Sequence, residues 1–589
     1  MGQRILIEKD VEATMRDGTV LRANVYKPDT PEPLPVLLTR LPYGKDLPLG
    51  TALLDPVKGA ATGYIVVVQD TRGRYRSGGD WMPWVNEFED GYDTVEWAAG
   101  LPGSSGDVAM YGGSYFGETQ WQAAVMQPPH LRALFPQITW TNFLNGVFRR
   151  GGALEWGVLA SWHPTSLLPD SVVRSSAGDP SRLRALLPRA IGLIDSLPVN
   201  GYDVLPLRDF ARNEPELRSL MPGMFHQLEQ PLDGELFRQL DVSRRFDDVR
   251  VPTYHLGGWN DLFLGETLKN YVEMRRRREQ AGPTKLIITP WAHAIMTGVI
   301  GQRDYGVASS GILINYMGDL TDLQLRWFDA VVKGKPNGVL DEDPVLLFVM
   351  GENHWRGFAD WPVPGARELV LHLDSGGSAN TRNGDGRLTQ DMPPADSPTD
   401  AYTYDPAEPV PTAGGQHLLH ALYPRGAVDQ SAIEERPDVL CYSTQPLGDN
   451  LTVIGPVTVR LYAASSVVDT DFVARLVDVF PDGRAYNLTD GIIRASCREV
   501  DFALPEAMQP SLIEPGRAYA YDIDLWGTAN TFKRGHRIRL EITSSSFPRW
   551  DRNLNTGESG VNSARMRAAR QTILHDAEHP SALRLWTVE

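Results

Sequence analysis

Cysteine is almost missing from this sequence: Cys441 and Cys497 are the two it has in 589 residues. Two thiols cannot build a disulfide framework, and neither stands at metal-ligand spacing, so both read as buried apolar thiols in a reducing compartment. Positive charge is also short. The 57 Lys and Arg against 74 Asp and Glu leave a net charge of −17. An acidic surface repels a phosphate backbone, which argues against a nucleic-acid partner. No apolar run approaches the roughly 18 residues of a membrane span. The opening MGQRILIEKD lacks the apolar core and cleavage site of a secretory signal, and it has Leu6 where a myristoylation signal carries Ser or Thr. No repeat recurs at a fixed period. The expectation is a soluble, cytoplasmic protein with no membrane partner.

What is present is ordinary for a globular chain: 42% hydrophobic and 22% charged residues. The length corresponds to about three to four domain-sized units. The first part reads as α/β. Short β-rich apolar runs at 35–39 (PVLLT), 64–70 (YIVVVQD), 107–112 (DVAMYG) and 131–138 (LRALFPQI) suit strands of a sheet covered on both faces. A helix is expected after Ser114, ended by Pro128-Pro129. The segment 143–247 has helical spacing, as in LRALLPRAIGLIDSL and ELFRQLDVSRRF. Strand signals return at 251–258 and 284–290, with helices near 263–277 and 318–334. One α/β domain, 1–142 with 248–354, is therefore expected to be interrupted by a helical insertion. From 355 to 589 the pattern turns all-β. Val457, Val459 and Leu461 alternate with Thr458 and Arg460, and Ile538, Leu540 and Ile542 with Arg539 and Glu541. Such a period of two predicts strands with one buried face, as in a sandwich.

The chemistry centres on GGSYFG, residues 112–117. A strand enters it and a helix leaves it, the context of a nucleophile elbow that presents a serine above a sheet. Phe116 takes the place of the usual second glycine of G-x-S-x-G, and the glycine follows at Gly117. A serine nucleophile needs a base and a carboxylate that orients the base. Asp261, in GGWND, and His293, in PWAHA, each follow a predicted strand. Ser, Asp, His is the chain order of α/β-hydrolases. The 147 residues from Ser114 to Asp261 accommodate the insertion, and the 32 from Asp261 to His293 leave room for one helix and one strand. His417 and His420 have a suggestive spacing but no third ligand, so no metal is expected. The chemistry requires no cofactor.

Many stretches carry a family resemblance. They include RDGTVLRANVYKP, PVLLTRLPYGK and VVVQDTRGRYRSGG, then GGSYFGETQWQAA, GGWNDLF and PWAH, and late in the chain LFVMGENHWR, DTDFVARLVDVFPDGRA and SSSFPRWDRNLNTG. In these the chain resembles the cocaine esterase / X-prolyl dipeptidyl peptidase group of α/β-hydrolases over essentially its whole length. The elbow matches that group's G-x-S-Y-x-G form. The resemblance implies an α/β-hydrolase core, an inserted helical cap and a C-terminal all-β jelly-roll (galactose-binding-like) domain. It implies Ser114 as nucleophile, His293 as general base and Asp261 as orienting acid. Tyr43, in RLPYGK, matches a tyrosine whose hydroxyl joins the backbone N–H of Tyr115 in an oxyanion hole. Trp162, Phe263, Leu418 and Leu419 would surround the acyl group, with Phe148 near a further pocket position. The implied reaction is hydrolysis of a small-molecule ester with a bulky or aromatic acyl group. A homodimer is within the range of such relatives.

Two other readings stay open at this point. An X-prolyl aminopeptidase or α-amino-acid ester hydrolase needs carboxylates for a substrate ammonium group, and Glu155, Asp170 and Asp179 lie in the insertion. A carbohydrate-binding protein with an inert hydrolase fold would use the C-terminal domain alone.

Overall fold

The computed structural model describes residues 4–504 and 509–589. Ten strands form the first sheet: β1 (Ile5–Thr14), β2 (Val20–Pro28), β3 (Leu34–Leu41), β4 (Ile65–Asp70), β5 (Ser104–Gly113), β6 (Leu131–Gln137), β7 (Thr253–Asn260), β8 (Thr284–Ala292), β9 (Val345–Val349) and β10 (His354–Phe358). Their order across the sheet is β1-β2-β4-β3-β5-β6-β7-β8-β9-β10. The stretch from β4 to β9 is parallel. β1, β2 and β10 close its two ends antiparallel. All six residues of β4 are buried, as a continuous run of Ile and Val predicts for a strand covered on both faces. Helices α1 (Glu87–Ala99), α2 (Tyr115–Val125), α3 (Leu264–Arg276) and α4 (Leu320–Val331) cover the sheet. Every residue of α2 is buried.

A boundary after residue 354 falls at the first residue of β10, which pairs with β9, so this sheet runs on to Phe358. In β10 Trp355 is buried while its neighbours are largely exposed. An edge strand with one wet face has the same period as the strands that follow it, so the pattern does not separate them.

Between β6 and β7 the chain is mainly helical, with one pair of two-residue strands, Arg149–Arg150 and Ala153–Leu154. Its longest helix, Pro180–Ser196, holds Pro188 and is capped by Asp179, whose side chain accepts from the N–H groups of Ser181 and Arg182. The ELFRQLDVSRRF segment is helical only over Glu235–Leu240, because the backbone turns extended at Asp241. The insertion has a hydrophobic core of its own, which also takes in Tyr115, Phe263 and Leu419.

The C-terminal part is all-β, with strands from Arg367–Asp374 to Ala582–Thr587. The pairing of Leu451–Ser465 with Tyr519–Phe532 is antiparallel along nearly its full length. Val457, Val459 and Leu461 are fully buried, between the half-buried Thr458 and Arg460. The second alternating strand differs from expectation. Arg539 and Glu541 are buried along with Ile538, Leu540 and Ile542. Their face is covered and neutralised from within, Arg539 pairing with Glu434 at 2.6 Å and Glu541 with Arg475 at 2.5 Å. Cys441 and Cys497 are free, buried thiols.

Candidate active site

The parallel sheet sends the ends of β5, β7 and β8 to one edge, and Ser114, Asp261 and His293 lie in the turns that follow them. Ser114 occupies the tight turn between β5 and α2, with φ 54° and ψ −125°. That left-handed backbone is costly for a residue with a Cβ, about 1–3 kcal/mol. Two contacts fix it: the Ser114 N–H donates to Gln137 O at 3.0 Å, and Thr139 Oγ1 donates to Ser114 O at 2.8 Å. The flanking glycines are sterically required. A Cβ on Gly112 would meet Phe116 Cδ2 at 2.5 Å, and one on Gly117 would meet Thr139 Cβ at 2.6 Å.

His293 lies with Nε2 3.1 Å from Ser114 Oγ and Nδ1 2.7 Å from Asp261 Oδ2. A carboxylate offers no proton, so Nδ1 carries the hydrogen and Nε2 accepts from the serine hydroxyl. Asp261 is fully buried. Its other oxygen accepts the Phe263 N–H at 2.7 Å, which turns the carboxylate toward the histidine instead of into a helix cap. Phe263 meets the imidazole edge to face, 5.2 Å between centres.

Tyr43 follows β3. Its hydroxyl oxygen accepts the Trp162 indole N–H at 3.0 Å, which leaves its own hydrogen free to donate. Desolvation holds this phenol well above its usual range, so it keeps that hydrogen. Arg74 anchors the loop by donating to Pro42 O at 3.1 Å. Tyr115 opens α2, and its backbone N–H takes no hydrogen-bond partner among the described residues, as befits the first turn of a helix. The Tyr115 side chain points elsewhere, donating to Glu87 at 2.9 Å and accepting the Trp84 N–H at 2.9 Å.

Ser114 and Tyr43 open onto a narrow pocket with a cavity volume of about 20 Å³. Trp162, Phe148, Phe263 and Leu418 line it. Leu419 does not: it is buried against Gly157, beyond the wall. Five wall residues were not anticipated, namely Trp84, Trp140, Val147, Val158 and Leu159. Trp84 stacks on Trp162 at 5.1 Å, and Trp140 lies 4.4 Å from the Phe263 ring. Trp140 follows β6 and Trp84 lies in the loop after β4, both at the same sheet edge as the serine, so topology alone could have flagged them.

The three carboxylates of the insertion do not reach the pocket. Glu155 accepts the Trp550 indole N–H at 2.8 Å, Asp170 lies 3.3 Å from the Arg74 guanidinium, and Asp179 caps its helix. His417 and His420 are engaged within their own loop, each Nδ1 accepting a backbone N–H two residues on.

A hydroxyl, an imidazole and a carboxylate in this chain can make a nucleophile, with two donors beside it for an oxyanion. Residues 17–295 match the family model "X-Pro dipeptidyl-peptidase (S15 family)", and residues 337–584 match "X-Pro dipeptidyl-peptidase C-terminal non-catalytic domain". The cocaine esterase of Rhodococcus sp. (strain MB1 Bresler) is 36% identical over 98% of this chain and 97% of its own. The chain belongs to the cocaine esterase / X-Pro dipeptidyl-peptidase family. It is a serine hydrolase. Two solved members of the same fold are more distant. An aminopeptidase from a marine sediment thaumarchaeote matches with a TM-score of 0.80 at 23% identity, over 99% of this chain and 96% of its own. An α-amino acid ester hydrolase matches with a TM-score of 0.79 at 23% identity, over 100% and 97%. In this member of the cocaine esterase family, Leu418 brings the second matched region into the pocket wall beside residues of the first.

Proposed function

We propose that this chain hydrolyses carboxylic esters through an acyl-enzyme on Ser114, with His293 as general base, Asp261 as its orienting acid, and the Tyr43 hydroxyl and Tyr115 N–H as oxyanion donors. The observation that carries the reading is the unbroken chain from Ser114 Oγ through His293, 3.1 Å and 2.7 Å, to the buried Asp261. His293 takes the serine proton as Ser114 attacks the ester carbonyl. The oxygen that gains charge is received by two donors in a site walled mainly by apolar side chains. His293 then protonates the departing alkoxide, and water releases the acid by the same steps in reverse.

The substrate carries a neutral acyl group, bulky or aromatic, for which the pocket walls must part. Aromatic and aliphatic side chains make up the wall around Ser114, and none of the lining residues is acidic. A substrate ammonium would find no counter-charge there, and Glu155, Asp170 and Asp179 are engaged elsewhere. This favours an ester hydrolase over an aminopeptidase or an α-amino-acid ester hydrolase. The helical insertion acts as a cap that supplies Trp162, Val158 and Leu159 to the pocket. The C-terminal domain is read as a jelly roll of the galactose-binding type, supported by its largely antiparallel pairing.

The test is a panel of aryl-acyl esters, acetyl esters and prolyl anilides, run beside labelling with a fluorophosphonate. Aryl-acyl esters should be turned over fastest. Ser114→Ala should abolish labelling and cost about 10⁶ in turnover. Retention of more than a few per cent of activity by Ser114→Ala, or preference for the prolyl anilide, would refute the reading.

A further inference from the structure

Arg425 belongs to the C-terminal domain, yet it reaches the histidine of the site. Its Nη1 donates to the backbone carbonyl of His293 at 2.7 Å, and its Nη2 to the carbonyl of Leu419 at 3.3 Å. The guanidinium is half-buried. Among the described residues it has no carboxylate within ion-pair distance. Two carbonyls in different domains take its hydrogen bonds, and the buried carboxylate of Asp261 offsets part of its charge through space.

Both ends of this span matter for the site. The His293 carbonyl belongs to the peptide that leads into Ala294, whose φ of 60° is left-handed for a residue with a Cβ. The same turn is closed by the Ile295 N–H donating to Ala292 O at 2.9 Å. A strained turn carries the imidazole, and such turns persist where the surroundings hold them. At the other end, Leu419 adjoins Leu418 in the pocket wall. The loop that bears both leucines is pinched at its base by Gly415 and Gly426, each donating its N–H to the other's carbonyl. His417 braces the interior, accepting the Leu419 N–H and donating to Pro424 O at 3.1 Å. Burial and the nearby cations Arg549 and Arg425 push His417 down to about 3, which keeps it neutral, as these two bonds require.

We infer that Arg425 is a positioning residue: its forked guanidinium clamps the His293 peptide to the Leu418–Leu419 loop, so that one side chain sets the imidazole and the acyl-pocket wall together. The inference rests on the reading of Ser114 and His293 above. A fork suits this role, because a planar guanidinium reaches two fixed acceptors at once and an ammonium on a flexible stem does not. A displacement of about 1 Å in a reacting group can cost about a hundredfold in rate.

The experiment compares Arg425→Met and Arg425→Lys with the unmodified enzyme. The readouts are kcat on a small acetyl ester per active site, counted by fluorophosphonate stoichiometry, and KM for acetyl and aryl-acyl esters. Counting sites removes any loss of folded protein. Arg425→Met should lower kcat about ten- to a hundredfold and raise KM for the aryl-acyl ester more than for the acetyl ester. Arg425→Lys should lose about three- to tenfold. A methionine variant with full stoichiometry and kcat within about twofold of the parent overturns the inference. A lysine variant at the parental rate overturns it too, whether or not the methionine variant folds. Either result leaves the Ser114→Ala outcome untouched, so failure of the clamp is distinct from failure of the nucleophile.

Discussion

Tyr43→Phe removes one oxygen and keeps the ring. Two consequences follow, and they separate. The first is kinetic. On the proposed mechanism one of two oxyanion donors disappears, which typically lowers kcat about 10²–10³-fold, or about 2.7–4 kcal/mol of transition-state stabilisation. KM should change little, because the donor is aimed at charge that develops only during attack. The second is structural. The Trp162 indole N–H, which now donates to Tyr43 at 3.0 Å, loses its acceptor. Trp162 is only 7% exposed. An unsatisfied donor at such a place costs about 1–3 kcal/mol of stability. The assay is steady-state hydrolysis of an acetyl ester beside thermal unfolding. Trp162→Phe is the control, since it breaks the same hydrogen bond from the other side and keeps the tyrosine O–H. It should lose similar stability but less than about tenfold in kcat. A folded Tyr43→Phe enzyme with kcat within about threefold of the parent would refute the oxyanion role, whatever its melting point.

Two further predictions concern stability. Gly157→Ala would place a Cβ 2.4 Å from Leu419 Cδ2 and 3.0 Å from Pro548 O. Overpacking of this kind costs about 1–3 kcal/mol, so the melting temperature should fall and KM for aryl-acyl esters should rise as the Leu418 loop shifts; an unchanged melting temperature would show that the contact relaxes freely. Glu118 lies on α2, fully buried, with neither carboxylate oxygen hydrogen-bonded. Burial, reinforced by Asp241 and Glu266, holds this carboxyl well above its usual range. The folded chain then keeps a proton that the unfolded chain releases as pH rises above the ordinary glutamate value, so stability falls with rising pH by about 1.4 kcal/mol per unit until the folded group also ionises. Glu118→Gln lacks that slope, and its stability relative to the parent should grow between pH 5 and pH 8; a constant difference across this range would refute the assignment.

The α/β order was legible because strands covered on both faces read as continuous apolar runs, as in β4. β1 and β2 went unseen. β1 is mostly exposed and its register shifts between Glu8 and Val11, so neither a run nor a clean alternation marks it. Ser114, Asp261 and His293 were legible for a topological reason: each follows a strand of one parallel sheet, which brings their turns to a common edge. The pocket wall was less so. Trp84 comes from the loop before α1, and Val147, Val158 and Leu159 come from the insertion, so no period in the sequence links them. Leu418 and Leu419 show the limit at its narrowest, since adjacent residues of one loop face opposite sides and only the first meets the pocket. Arg425 left no mark at all, because its partners are peptide carbonyls that every residue possesses.

The loop closed by Gly415 and Gly426 has an evolutionary corollary. Recombination between homologues is gentle on proteins whose modules meet only through solvent or a bland seam. Here a crossover placed between the two halves would graft a foreign segment onto the native histidine turn. The hybrid would inherit part of its selectivity from one parent and its nucleophile from the other. Lineages should therefore exchange the gene whole, and a laboratory library that shuffles the halves should diversify substrate preference far more than it diversifies fold.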